Sequence, residues 1–270
     1  MDNFFTFKNR HIEFLKMDNS KDKTILFIHG FSSEFAFFEQ LIELLKPNYN
    51  IFALNMPSHG NSEIAPELMN MESFREIVVE FVRLQNLNNI TLIGHSMGGG
   101  ISSIVAPVLQ KENRLDKVVL LGPMNRTMLM FSHMWPLFFP RSFEQYIKLL
   151  PALYKNTEVL LKNDEFVENV KQYYASEQVQ KRLDVIYEWG LRMPQEKNQS
   201  IVDQGIEAIN VPLALINGDS DGIVDVDVCE QHYLKLNPAT NCYVIENAGH
   251  CMWSDNFEQF KSVLISFLSK

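Results

Sequence analysis

The sequence predicts an α/β fold: a mostly parallel, doubly wound sheet of about eight strands, its first hairpin antiparallel, carrying a helical insertion. Three observations predict it. Short apolar strands alternate with amphipathic helices over most of the chain. The alternation stops at residue 123 and resumes after about residue 207. Finally, "NITLIGHSMGGGIS" (Asn89 to Ser102) runs from an apolar strand through a glycine-flanked serine straight into helical spacing.

The elements follow in chain order. "FFTFKNRHIEFLKM" reads as two short strands around a Lys8-Asn9-Arg10 turn, and "TILFIHG" as an apolar strand ended by glycine. "EFAFFEQLIELLK" puts Phe35, Phe38, Leu41, Ile42 and Leu45 on one helical stripe. "YNIFALN" is the next strand, followed by the loop "MPSHGNSEIAPE". Asn70 can cap "MESFREIVVEFVRLQ", whose apolar positions Phe74, Ile77, Val78, Phe81 and Leu84 keep the helical period. Then come the strand around Ile90 to Ile93, its helix, and the strand "DKVVLLGP". After the insertion, "VPLALINGD" and "NCYVIENAG" read as strands, "VDVCEQHYLKL" and "NFEQFKSVLISFL" as helices.

The insertion, residues 123–207, reads as helical pieces sitting on the sheet. It opens with the methionine- and aromatic-rich "MNRTMLMFSHMWPLFFPRSF", where Pro136 and Pro140 break any single continuous helix. "SFEQYIKLL" follows, with a Ser142/Gln145 capping box. Residues 1–122 and 208–270 form the core domain around it. Right-handed crossovers between parallel strands place binding at the strands' carboxyl ends.

Composition narrows the function. The 270 residues include 46% hydrophobic and 21% charged, enough for a substantial core. Their formal net charge of -9 argues against gripping nucleic acid or an anionic membrane, which needs a basic surplus. Cys229, Cys242 and Cys251 are an odd set without CxxC spacing, read as free thiols in a reducing compartment. The N-terminal stretch lacks a secretory pattern and no apolar run suits a spanning helix, so the expectation is a cytoplasmic protein without stable membrane insertion.

Gly94-His95-Ser96-Met97-Gly98 matches G-x-S-x-G between a strand and a helix, the context that motif requires. A tight strand-to-helix turn lifts the serine hydroxyl above the sheet, and the helix behind it aims positive dipole and free amides at developing charge. A serine hydroxyl needs a base. Asp219 and Asp221 follow the strand ending at Gly218, and His250 follows the strand near 241–246. The order Ser96, Asp221, His250 is the order expected of such an architecture. His250 would take the Ser96 proton while Asp221 fixes the imidazole tautomer. The amides of Phe31, in "HGF", and of Met97 would hold the oxyanion, each worth about 3 kcal/mol of barrier.

These motifs, "FIHGFSSE", "LNMPSHGNSE", "LIGHSMGGG", "VVLLGP", "INGDSDGIV" and "ENAGHCMW", taken together, resemble the α/β-hydrolase superfamily, specifically its capped esterase/lipase-like serine hydrolases. The resemblance covers the core and is weak across the insertion. It implies the fold, the triad and the oxyanion hole, and its spacing from Gly218 selects Asp221 over Asp219. The chain departs from the family's Asp-x-Pro-Gly-His-Gly-x-Ser loop at Asn55 and Ser58, a change expected to affect loop packing.

The expected activity is hydrolysis of small to medium carboxylic esters, with a substrate carrying an apolar acyl or alcohol group. His133, Trp135 and Phe138 of the insertion are candidate substrate contacts. No metal, nucleotide or organic cofactor is implied, because the first core strand lacks Rossmann or P-loop glycines. Other readings stay open. A proline-type aminopeptidase would use acids such as Glu144, Glu165 or Glu168 to bind an amine, although its elbow reads Gly-Gly-Ser-Trp-Gly. Thioesterases and carbon–carbon bond hydrolases keep the same triad. A non-catalytic ligand-binding member of the fold would leave it idle. The oligomeric state is not legible.

Overall fold

Eight strands form one sheet in the order β1-β2-β4-β3-β5-β6-β7-β8 in a computed structural model that describes residues 3–270. The strands are β1 (Phe4–Phe7), β2 (Arg10–Met17), β3 (Thr24–Ile28), β4 (Asn50–Leu54), β5 (Ile90–His95), β6 (Leu115–Leu121), β7 (Leu213–Gly218) and β8 (Asn241–Ile245). β2 pairs antiparallel with both β1 and β4, and every other pairing is parallel. Lys8 and Asn9 both take positive φ, 47° and 64°, which gives the tight hairpin turn its twist.

The central strands read as unbroken apolar runs because both faces are covered. β3, β5 and β7 are buried at every residue. Successive side chains go to opposite faces. Leu26 and Ile28 join the core beneath α2 (Met71–Leu84) and α3 (Met97–Lys111), while Ile25 and Phe27 join Phe38, Trp253 and Phe260 beneath α1 (Glu39–Leu45) and α11 (Phe257–Leu268). Asn70 caps α2 by accepting from the Ser73 amide at 2.9 Å. Leu84, on the expected apolar stripe, is instead 61% exposed at the helix end.

After β6 the chain leaves the sheet. Residues Arg126–Phe138 make 3-10 turns broken at Phe131, consistent with Pro136 denying a regular helix. α4 (Phe143–Leu153), α5 (Thr157–Leu161), α6 (Asp164–Ala175) and α7 (Glu177–Gly190) follow. Ser142 caps α4 through the Gln145 amide, but the Gln145 side chain accepts from Arg141 N, one residue before the partner a capping box uses. α8 (Glu196–Glu207) behaves differently. It packs along α3 so closely that a β-carbon at Gly205 would lie 2.4 Å from Ser103 O. Residues 196–207, assigned to the insertion by sequence, therefore flank the sheet. α9 (Val226–Leu236) and the short α10 (Met252–Asp255) complete the element order before α11. No helix among the described residues is long and apolar enough to cross a membrane.

Parallel register aligns the strand ends. Ile28 sits beside Gly94 and Leu54, His95 beside Leu121, and Gly218 beside Ile245. The loops after β3, β5, β7 and β8 thus share one edge. The order reverses at β3, flanked by β4 and β5, which is where open α/β sheets form their binding crevice.

Candidate active site

Ser96 closes β5 with φ 53° and ψ -120°, a conformation that costs an L-residue about 1–3 kcal/mol. Its surroundings hold it there. Its amide donates to Leu121 O at 2.9 Å, and its carbonyl accepts from Gly99 N and Met124 N, both at 2.8 Å. The turn also needs contact that no side chain permits: a β-carbon on Gly98 would lie 2.1 Å from Ile28 O. α3 can therefore start directly against β3, with its first amides beside the serine.

His250 Nδ1 lies 2.8 Å from Asp221 Oδ2, and both side chains are almost fully buried. A carboxylate accepts, so Nδ1 carries the proton and Nε2 presents its lone pair. Nε2 has no hydrogen-bond partner among the described residues. The other Asp221 oxygen accepts from the Ile223 and Val224 amides at 2.7 and 2.9 Å. Asp219 turns elsewhere, accepting from Asn247 N and Ala248 N. It shapes the loop that carries His250. Gly122, at φ +48°, leaves room for the pair, since a β-carbon there would lie 2.9 Å from His250 Nδ1.

Three other histidines support this edge. His95 Nε2 lies 3.2 Å from His250 O and donates to it, fixing the backbone of the candidate base. His29 accepts from Met56 N through Nε2, and His59 accepts from Ser32 N in the same way. Burial pushes His29 down to about 4 and holds His59 and His95 well below the ordinary histidine range, so all three are neutral supports. Asn55 and Ser58 work in the loop as packing groups. Asn55 accepts from Phe35 N and donates to Glu13, and Ser58 Oγ accepts from Ala65 N. Glu13 of β2 thereby brings a carboxylate to this loop, where Asn55 stands.

The Phe31 and Met97 amides make no hydrogen bond among the described residues, and both residues line a cavity of about 380 Å³ together with Ser96 and His250. Met128, Trp135, Phe138, Tyr146, Leu149 and Tyr174 build much of its apolar wall. α4 reaches from the insertion to the loops below: Ala152 O accepts from Gly222 N, and Leu153 O from Cys251 N.

Trp135 and Phe138, two of the three candidate substrate contacts, line the cavity. His133 does not; it is exposed, its ring 6.2 Å from that of Phe131 and tilted to it. Glu144, Glu165 and Glu168 are also exposed and outside the lining. Sequence reading missed Tyr146, Tyr154, Tyr174 and Gln199, which line the cavity. Their only sequence signal was a place on ordinary amphipathic helices or at a helix end.

A sequence profile described as alpha/beta hydrolase fold matches residues 23–257. "Putative esterase/lipase 2" of Mycoplasma pneumoniae is 35% identical over 114 residues, 42% of this chain and 42% of that protein. The match therefore spans less than half of that relative. "Uncharacterized hydrolase YugF" of Bacillus subtilis is 25% identical over 275 residues, covering 98% of this chain and 96% of that protein. Among solved structures, a bacterial membrane phospholipase A superposes with a TM-score of 0.82 at 21% identity, covering 98% of this chain and 84% of that one. This last likeness is one of fold.

Proposed function

The chain belongs to the alpha/beta hydrolase family, and on that premise we propose that it is a serine hydrolase cleaving small to medium carboxylic esters through an acyl-enzyme on Ser96. One observation carries the reading. A histidine anchored to a buried aspartate with its Nε2 unpartnered, a serine on a strained turn, and two residues whose amides are free all line one apolar cavity.

In this mechanism His250 Nε2 takes the Ser96 proton as Oγ attacks the ester carbonyl. The resulting oxyanion accepts from the Phe31 and Met97 amides, neither of which has another hydrogen-bond partner among the described residues. Asp221 stabilises the imidazolium without taking its proton, because both of its oxygens already accept hydrogen bonds. His250 then protonates the leaving alcohol, and water activated by the same Nε2 releases the acid. The 3-10 turns and α4 to α7 act as a cap that forms the cavity wall. An amine-binding peptidase reading lacks comparable support, since Glu144, Glu165 and Glu168, the cap carboxylates weighed for it, are exposed and do not line the cavity.

The test is hydrolysis of p-nitrophenyl esters, from acetate to long acyl chains, by the wild type and Ser96→Ala. Turnover abolished by the substitution supports the reading, and the chain-length optimum sizes the cavity. Absence of turnover on every ester, by protein shown to be folded, overturns it.

A further inference from the structure

Gln199, in α8, is 2% exposed, lines the cavity, and leaves one half of its amide unused. Its Nε2 lies 2.9 Å from Met193 O. A backbone carbonyl can only accept, so the amide orientation is fixed: the NH₂ faces Met193 and the carbonyl oxygen faces the other way. Oε1 has no partner among the described residues. Met193 and Pro194 line the cavity beside it.

The rest of the lining sharpens what this oxygen can meet. No lysine, arginine, aspartate or glutamate contributes to it. The two histidines present are His250, whose Nδ1 is held by Asp221, and His95, which burial keeps neutral. An ionised substrate would enter without a counter-charge, whereas a neutral one would meet apolar walls, serine and tyrosine hydroxyls, and the unpartnered acceptors Gln199 Oε1 and His95 Nδ1. Buried acceptors find donors. A site that offers one this way selects ligands that fill it, because a donor pairs the buried oxygen and an analogue without one leaves it unpaired.

We propose that Gln199 is a specificity-determining residue, accepting through Oε1 a hydrogen bond from a hydroxyl of a neutral, partly apolar ester. The proposal rests on the ester-hydrolase reading for its substrate class. Its test does not depend on turnover. Gln199 acts as a recognition group, away from the proton transfers assigned to His250.

The experiment measures equilibrium binding to full-length Ser96→Ala by calorimetry, using two matched pairs of probes. Monooctanoin is compared with propyl octanoate, placing hydroxyls on the alcohol side. Ethyl ω-hydroxyoctanoate is compared with ethyl octanoate, placing one on the acyl side. The hydroxylated member of at least one pair binds about tenfold tighter. Adding Gln199→Met removes that gap while the alkyl ester's affinity stays within about threefold. Gln199→Leu serves as a second variant, with circular dichroism confirming the fold of each. Equal affinities within both pairs overturn the proposal, as does a gap that survives both substitutions. A parallel loss for both members of a pair assigns Gln199 to packing against Met193 and also overturns it. Wild-type protein that turns over none of the four esters while the gap persists counts against the acyl-enzyme and leaves Gln199 supported.

Discussion

His250 Nδ1 sits 2.8 Å from Asp221 Oδ2, while Asp219, two residues earlier in the same loop, accepts instead from the amides of Asn247 and Ala248. Two carboxylates on one turn thus have separate work: one orients an imidazole, and the other shapes the loop that delivers it.

Asp221→Asn should therefore lower kcat by about 10³- to 10⁴-fold with KM little changed, because an amide no longer enforces the Nδ1–H tautomer. Asp219→Asn keeps a carbonyl acceptor for the loop and should cost less than about tenfold. Steady-state kinetics of both variants on one p-nitrophenyl ester makes the comparison. Equal losses would contradict the division.

Gly122→Ala should cost both activity and stability. Its φ of +48° strains a side-chain-bearing residue, and the new carbon would lie 2.9 Å from His250 Nδ1. The expected loss is at least about tenfold in kcat and roughly 1–3 kcal/mol of unfolding free energy. Urea melts and kinetics check it. Wild-type kcat in this variant would mean that the ring tolerates displacement.

Stability should fall as the pH drops below neutrality. His29 is pushed down to about 4 by burial, from an ordinary value of 6.5, so the unfolded chain binds more protons than the folded one between those limits. His59 and His95 are displaced in the same direction, again chiefly by burial. From pH 7 to pH 5, His29 alone should remove about 2 kcal/mol, and its contribution levels off below its folded value. Urea midpoints across that range test this, with His29→Asn giving a shallower slope. A flat profile for the wild type would contradict buried, neutral histidines.

The sheet was legible because its strands are buried on both faces and so carry near-continuous apolar runs, as Leu92 and Ile93 show in β5. Ser96 was legible because its turn demands glycines that leave a pattern in sequence. Gln199 was not: a polar residue on an amphipathic helix looks solvated until the fold buries it. His133 misled for the opposite reason, standing among apolar neighbours in sequence while its own side chain faces outward. The end of the insertion was misplaced because α8 carries the same helical period as the helices before it. Only its close approach to Ser103 shows which layer it joins.

The most direct test of the central claim is to react the protein with a p-nitrophenyl alkylphosphonate and locate the adduct by peptide mass spectrometry. One adduct is expected, on Ser96, absent from Ser96→Ala and formed far more slowly in His250→Ala. An adduct on another residue, or none on folded protein that turns over esters, would contradict it.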